Sequence, residues 1–361
     1  MVKFVEIKQG SKIKSFMLPD INNKKILITR LRFIGDIILT TPLIETLKFN
    51  FPDAKIYYLA EKEASKLLIG NPYLSGIIPL DYEITKLEYL TFILNLRKNK
   101  FDVVIDLFGN PRSAVLTFLS GAKIKIGGAY KSRTKFYNKI VNENQKINDQ
   151  IERHLLFASC FNIKQNFTRT RIYINDEERV EALNILKNMK IKINKPIVGL
   201  YAGATWPAKK WFPEKFASLA DKIKIELGSQ VLFFRSQEDT ELINSIKEKS
   251  LCHHSYLYNY DIRTTAALLT FVNVFVSNDC GLMHLAPAVG TKTIGLFGPG
   301  EDKMWFPYSI KDGCISLRKD IPCHPCHLDY CDRLDCWKLL KVEEVFDKIS
   351  YLLSFNMMPK Y

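Results

Sequence analysis

Short, nearly unbroken apolar runs alternate along the chain with longer stretches whose apolar residues recur every three or four positions. Lys25–Thr29 (KILIT) reads as a buried strand, as do residues 55–60, Gly76–Leu80, 101–107 and 123–126. Helical patterns lie between them, clearest at 84–98. After Gly35 the chain reads as a loop turning into a helix, with Thr40, Thr41 and Pro42 near its first turns. The pattern restarts after a linker at 166–195. Ile197–Tyr201, Gln230–Phe234, 274–277 and 293–297 are strand-like, and helices begin near Pro213, Glu238, Arg263 and Gly281. Strands alternating with helices predict βαβ units and parallel sheets. The expected fold is α/β: two doubly wound, Rossmann-like domains at 1–180 and 190–340, then a C-terminal segment at 341–361 with an amphipathic helix over 343–354. Ligands of such sheets bind beyond the carboxyl ends of the strands, so two facing domains would form a cleft. At the start, residues 2–8 and 12–18 flank Gln9-Gly10-Ser11 and predict a hairpin.

Composition narrows the class. The 361 residues are 47% hydrophobic and 25% charged, which excludes a disordered tail, a collagen-like rod and a small disulfide scaffold. The net charge of +14 is uneven: residues 1–180 hold 29 basic and 18 acidic side chains (+11), the remainder 23 and 20 (+3). The first half therefore suits an acidic partner: nucleic acid, an anionic membrane surface or a phosphorylated substrate. No helix-turn-helix, zinc-finger or RNP pattern supports nucleic acid. No run reaches the ~18–20 apolar residues of a membrane span. The longest, 266–276, contains Thr270 and Asn273, and residues 1–19 interleave lysines with apolar residues rather than forming a signal-peptide core. The expected location is the cytoplasm, with peripheral association on the inner membrane. Lys123, Lys125, Lys131, Arg133, Lys135 and Lys139 lie in a stretch, 121–141, with no acidic residue. It reads as a solvated loop or as a contact for acceptor phosphates, carboxylates or lipid headgroups.

The common phosphate motif G-x-x-x-x-G-K-[ST] is absent, and no G-x-G-x-x-G follows the first strand. H-E-x-x-H and G-x-S-x-G are also absent. The first βα loop instead carries Arg30, Arg32, Gly35 and Asp36. A carboxylate at a strand's carboxyl end can act as a general base toward a hydroxyl; equally, Asp36 can cap the following helix. After the strand at 197–201 come Gly203, Ala204, Thr205, Lys209 and Trp211. Thr205 and Lys209 can hold a diphosphate, or the loop is simply solvated. After the strand at 274–277 come Asn278, Asp279, Cys280, Gly281 and His284. The helix start suits phosphate, and Asp279 suits sugar hydroxyls. Asp279 as a cap and His284 as a core histidine are the alternatives. Glu238 follows another strand and can bind a ribose or act as an ordinary first-turn acid. Asn110, Arg112 and Ser113 follow the strand at 101–107 and suit acceptor recognition or a polar helix start.

Of eight cysteines, four stand together as Cys323-x2-Cys326-x4-Cys331-x4-Cys336, with His324 and His327 among them. Zinc or iron, reduced structural thiols and disulfides are all open readings. The spacing is not that of a zinc ribbon.

Three segments together resemble the bacterial heptosyltransferases, glycosyltransferase family 9. They are Arg30-x4-Gly35-Asp36 followed by Pro42; Gly203-Ala204-Thr205 with Lys209 and Trp211 ahead of Pro213; and Asn278-Asp279-x-Gly281-Leu282-Met283-His284, continuing to Gly295-Leu296-Phe297-Gly298-Pro299. Trp211-Phe212-Pro213 is one residue longer than the Trp-Pro form of some members, and Cys280 stands where Ser or Thr is frequent. The resemblance implies a GT-B fold and inverting transfer from ADP-heptose to the anionic Kdo–lipid A core of lipopolysaccharide, with no cofactor required. It implies Asp36 as the base. Thr205, Lys209, Glu238, Asp279, Cys280, Gly281 and His284 fall on the donor side. Arg30, Arg32, Asn110, Arg112, Lys131 and Arg133 fall on the acceptor side. A cysteine-rich segment occurs in some relatives, including ones that modify proteins, so a protein or other glycan acceptor is the alternative. A nucleic-acid-binding module is the remote one.

Overall fold

The computed structural model describes residues 20–142 and 147–354, so the hairpin expected at 2–18 lies outside the described residues. The chain divides into two compact units between Thr170 and Arg171.

The first unit holds a six-stranded parallel sheet of β1 (Lys25–Thr29), β2 (Lys55–Glu61), β3 (Gly76–Leu80), β4 (Val103–Asp106), β5 (Ile124–Gly128) and β6 (Lys139–Val141), in the order β3-β2-β1-β4-β5-β6. The second holds β7 (Ile197–Tyr201), β8 (Gln230–Phe234), β9 (Ser255–Tyr256), β10 (Val274–Asn278), β11 (Lys292–Phe297) and β12 (Cys314–Arg318). Its order is β9-β8-β7-β10-β11-β12, again all parallel. Both orders are the doubly wound 3-2-1-4-5-6 arrangement, with helices on both faces. The middle positions of the central strands are apolar because both faces are covered. Ile26, Leu27 and Ile28 are fully buried, and so are Val274, Phe275 and Val276.

This topology places the site. Strand order reverses between β1 and β4 and between β7 and β10, and ligands bind at such switch points. Asp36 follows β1, Asn110 and Arg112 follow β4, Thr205 and Lys209 follow β7, and Asp279 follows β10.

Two expectations are corrected. The stretch 166–195 is not only a linker, because it carries the helix Asp176–Asn188. Asn175 and Glu178 close a capping box at its start, and Arg263 donates to both Glu178 oxygens at 2.7 and 2.5 Å, tying it to the helix Ile262–Leu269. The basic stretch 121–141 is a loop only in part: after β5, at the strand expected over 123–126, it forms the 3-10 turn Lys131–Phe136 and β6. The closing helix Val342–Ser354 buries Val345, Phe346, Ile349 and Leu352 in the core of the second unit.

Candidate active site

In the first unit, Asp36 is the third residue of the helix Ile34–Leu39, whose N-cap is Phe33. It is therefore not the helix cap. Its Oδ1 meets Arg30 Nη2 at 2.5 Å, and the two side chains are only 11% and 13% exposed. Arg30 is fixed on its other side by the Leu107 carbonyl (3.3 Å) and by the Phe108 ring beneath its guanidinium (4.5 Å). Asp36 Oδ2 takes no hydrogen bond among the described residues. Behind the pair, Tyr58 and Thr40 share a buried hydroxyl contact of 2.6 Å, and His154 Nδ1 reaches the Leu39 carbonyl at 3.2 Å. Burial, then the nearby Arg30 charge, pushes His154 down to about 3. The ring is thus neutral, and Nδ1 carries the hydrogen donated to Leu39.

The β4 loop is organised by Asp106, which lies fully buried at the strand's end. Its carboxylate accepts from the N–H groups of Phe108 and Gly109 (3.0 Å each), from Ser113 Oγ (2.8 Å) and from Tyr137 OH (2.6 Å). Burial raises its pKa against these four bonds. Gly109 has φ +61° and a Cβ there would overlap the Tyr130 ring, so the turn requires glycine. Asn110 caps the following helix by accepting from Ser113 N–H at 2.7 Å. Arg112 lies over Tyr82 (4.4 Å) and Tyr89 (5.4 Å), and Arg32 reaches the same Tyr82 at 5.3 Å and Glu61 at 3.4 Å. Arg133 lies over Tyr130, which packs on Gly109, so it neighbours this loop. Lys131 opens the 3-10 turn that carries Arg133.

In the second unit, Thr205 and Glu238 line one cavity of about 780 Å3 with Tyr201, Ala204, Lys210, Ser236 and Asp239. Gly203 is forced by close packing, since a Cβ would lie 2.5 Å from Tyr201 OH and 2.6 Å from Asp239 Oδ1. Lys209 Nζ meets Asp279 Oδ2 at 2.6 Å. Asp279 is not the cap of the helix Gly281–Ala288; Cys280 is. Ser277 Oγ lies 3.3 Å from the Cys280 thiol, whose pKa is pushed up by burial. His284 is buried and its Nδ1 lies 3.2 Å from Tyr308 OH.

Sequence reasoning missed what holds the 202–211 loop. Asn278 Nδ2 donates to the Ala202 carbonyl (2.7 Å), and its Oδ1 accepts from Trp211 N–H (3.2 Å). Trp337 Nε1 donates to the Ala208 carbonyl (2.7 Å), and Ala208 N–H to Asp329 O (3.0 Å). Asp106 likewise was missed, although a carboxylate ending a wholly apolar strand was its signal.

Of the three readings open for the clustered cysteines, free thiols is the one the structure carries. All four are free, and among the described residues no group of three or more His, Cys, Asp or Glu side chains stands where it could hold a metal ion. His324 is also committed: Nε2 donates to Gly300 O (2.7 Å) and Nδ1 accepts from Arg318 (2.9 Å). Leu334 N–H points at Cys331 Sγ (3.4 Å), and burial pushes the Cys336 thiol up to about 11. The segment instead holds the loops at 202–211 and 297–300. Cys326 and His327 N–H both bond Pro299 O.

The profile of Glycosyltransferase family 9 (heptosyltransferase) matches residues 89–338. The chain is 26% identical over 343 residues to lipooligosaccharide heptosyltransferase 2 of Campylobacter jejuni, covering 91% of this chain and 98% of the relative. A solved glycosyltransferase family 9 structure from Veillonella parvula superposes with a TM-score of 0.82 at 22% identity, covering 92% of this chain and 98% of that one. The Escherichia coli ADP-heptose lipopolysaccharide heptosyltransferase II structure gives 0.74 at 21%, covering 91% and 98%. The fold is that of these GT-B structures, and the chain belongs to glycosyltransferase family 9, the heptosyltransferases.

Proposed function

We propose that this glycosyltransferase moves heptose from ADP-heptose to the inner core of lipopolysaccharide, with inversion at the anomeric carbon. Asp36 is the general base. Arg30 orients its Oδ1, leaving Oδ2 to take the proton of the acceptor hydroxyl. That oxygen bonds the anomeric carbon as the bond from this carbon to the β-phosphate oxygen breaks, and ADP leaves. Thr205 and Lys209 hold the diphosphate, and the Lys209 charge offsets the negative charge that grows on the leaving group. Glu238 accepts from the ribose in the cavity it shares with Thr205. The N–H groups at Cys280 and Gly281, where a helix begins, take phosphate, while Asp279 and His284 address the sugar. The reaction so written needs no cofactor.

On the acceptor side, Arg32 and Arg112 share the Tyr82 ring. Tyrosine rings suit the C–H face of a sugar and guanidinium groups suit its carboxylates and phosphates. Asn110, Lys131 and Arg133 complete that contact. The reading agrees with the names of the relatives, one of which is an ADP-heptose lipopolysaccharide heptosyltransferase.

The observation that carries the proposal is the Arg30–Asp36 pair at the switch point of the first sheet. Asp36→Asn is expected to lower transfer by about 10³-fold or more, with ADP-heptose affinity by calorimetry unchanged. Wild-type turnover in that variant would remove Asp36 as base. Acceptors carrying zero, one or two heptoses, read by mass, identify the step.

A further inference from the structure

The helix Lys86–Lys98 has two apolar faces, and only one is used. A capping box between Thr85 and Glu88 fixes its start. Ile93 and Leu96 are buried in the first unit's core, with Tyr89 and Phe92 packed beside them. Leu87, Leu90 and Leu94 fall at i, i+3 and i+7 on a different stripe, about 10 Å long. They are 74%, 57% and 60% exposed. A lone exposed leucine is ordinary, but three in line form a patch that calls for a partner.

The stripe runs into Arg97 and Lys98 in the helix's last turn. These two, with Leu94, Lys100 and Lys123, line an open cavity of about 680 Å3. One carboxylate, Asp102, also lines it, and its Oδ2 already accepts from Lys25 N–H at 2.9 Å. Leucines that end in a cluster of four cations match the layering of an anionic bilayer, acyl chain below and phosphate above. Among the described residues no helix is long and apolar enough to cross a membrane, so such contact would lie along the surface.

We propose that the helix Lys86–Lys98 docks this protein on anionic phospholipid, with Leu87, Leu90 and Leu94 entering the headgroup boundary. Arg97, Lys98, Lys100 and Lys123 hold lipid phosphates. The purpose of the contact, delivery of a lipid-linked acceptor, rests on the proposed function; the contact itself does not.

The test is co-sedimentation of the full chain with vesicles of phosphatidylcholine alone or with phosphatidylglycerol added. The wild type is expected to favour anionic vesicles at least about tenfold. The triple variant Leu87→Ser, Leu90→Ser, Leu94→Ser should lose at least about tenfold of that binding. It should keep its circular dichroism and its turnover on a deacylated, water-soluble acceptor. The variant Lys98→Glu, Lys100→Glu, Lys123→Glu should lose the preference for anionic lipid. Equal wild-type binding to both vesicle types, or unchanged binding by the triple-serine protein, overturns the proposal. So does a dimer that Leu90→Ser dissolves in a chain that binds no vesicles, which would make the stripe an interface between copies. Absence of turnover in every protein, with vesicle binding intact, would instead count against the proposed reaction alone.

Discussion

The indole Nε1 of Trp337 donates to the carbonyl of Ala208 at 2.7 Å, joining the cysteine-rich segment to the loop that carries Thr205 and Lys209. Trp337 is fully buried, and a Cβ on Gly298 would lie 2.5 Å from its ring. One side chain thus braces the loop at 202–211 and the turn at Gly298. Trp337→Phe keeps most of the ring and orphans the Ala208 carbonyl, at about 1–2 kcal/mol. If the loop holds donor phosphate as proposed, KM for the sugar nucleotide should rise about 3–10-fold while kcat changes little. Steady-state kinetics decide: an unchanged KM would mean that Asn278 and Asp329 suffice to hold the loop.

Lys209 and Asp279 pair at 2.6 Å, with side chains 24% and 8% exposed. Removing the lysine leaves a nearly buried carboxylate alone, which costs about 1–2 kcal/mol after allowance for the exposed lysine. On the proposed role of Lys209 at the leaving diphosphate, kcat should fall about 10²–10³-fold in Lys209→Met. The double variant Lys209→Met, Asp279→Asn should melt above the single one while recovering no activity. Thermal melts and single-turnover rates separate the two effects. A double variant no more stable than Lys209→Met would show that the pair contributes nothing to the fold.

The central strands were legible because burial on both faces leaves a continuous apolar core within each, Ile26-Leu27-Ile28 in β1 and Val103-Val104-Ile105 in β4. The edges were not. Strand β9 is only Ser255–Tyr256, and β6 sits inside a basic stretch, so neither shows a period. Motif positions for Asp36, Thr205 and Glu238 were legible because each follows a strand's carboxyl end. The brace residues were not, because the role of Asn278 or Trp337 depends on backbone carbonyls 76 and 129 residues away in sequence. Cysteine spacing left metal, reduced thiols and disulfides open, because spacing carries no information on where the thiols point once Trp337 and Leu334 pack into the core.

Asp106 accepts from four donors around the β4 turn. Asp106→Asn replaces one accepting oxygen by a donor and leaves at least one buried partner unsatisfied. A loss of about 2–4 kcal/mol is expected, against about 1 for Tyr137→Phe. Because Asn110 and Arg112 ride on this turn, Asp106→Asn should also raise KM for the acceptor more than for the donor. Chemical denaturation and the two KM values test this; equal effects on both substrates would detach the turn from acceptor binding.

His154 gives the first unit a built-in acid sensitivity. Its folded pKa lies near 3 against an ordinary value of 6.5, because burial and the Arg30 charge disfavour the imidazolium. Between those limits the unfolded chain binds a proton that the folded chain refuses. The stability from the neutral ring is therefore complete above pH 6.5 and drains away as pH falls toward 3, at up to about 1.4 kcal/mol per pH unit. His154→Asn can still donate to the Leu39 carbonyl but does not titrate. It should be less stable at pH 7.5 through lost packing, yet lose less stability than the wild type between pH 6.5 and 4.5. Buried carboxylates contribute to both proteins alike, so the difference between the two urea-melt series isolates the histidine. Parallel pH slopes would mean that the folded protein protonates His154 freely. In that case the ring would be a cation beside Arg30, and the packing that holds the Asp36 helix against it would have to open.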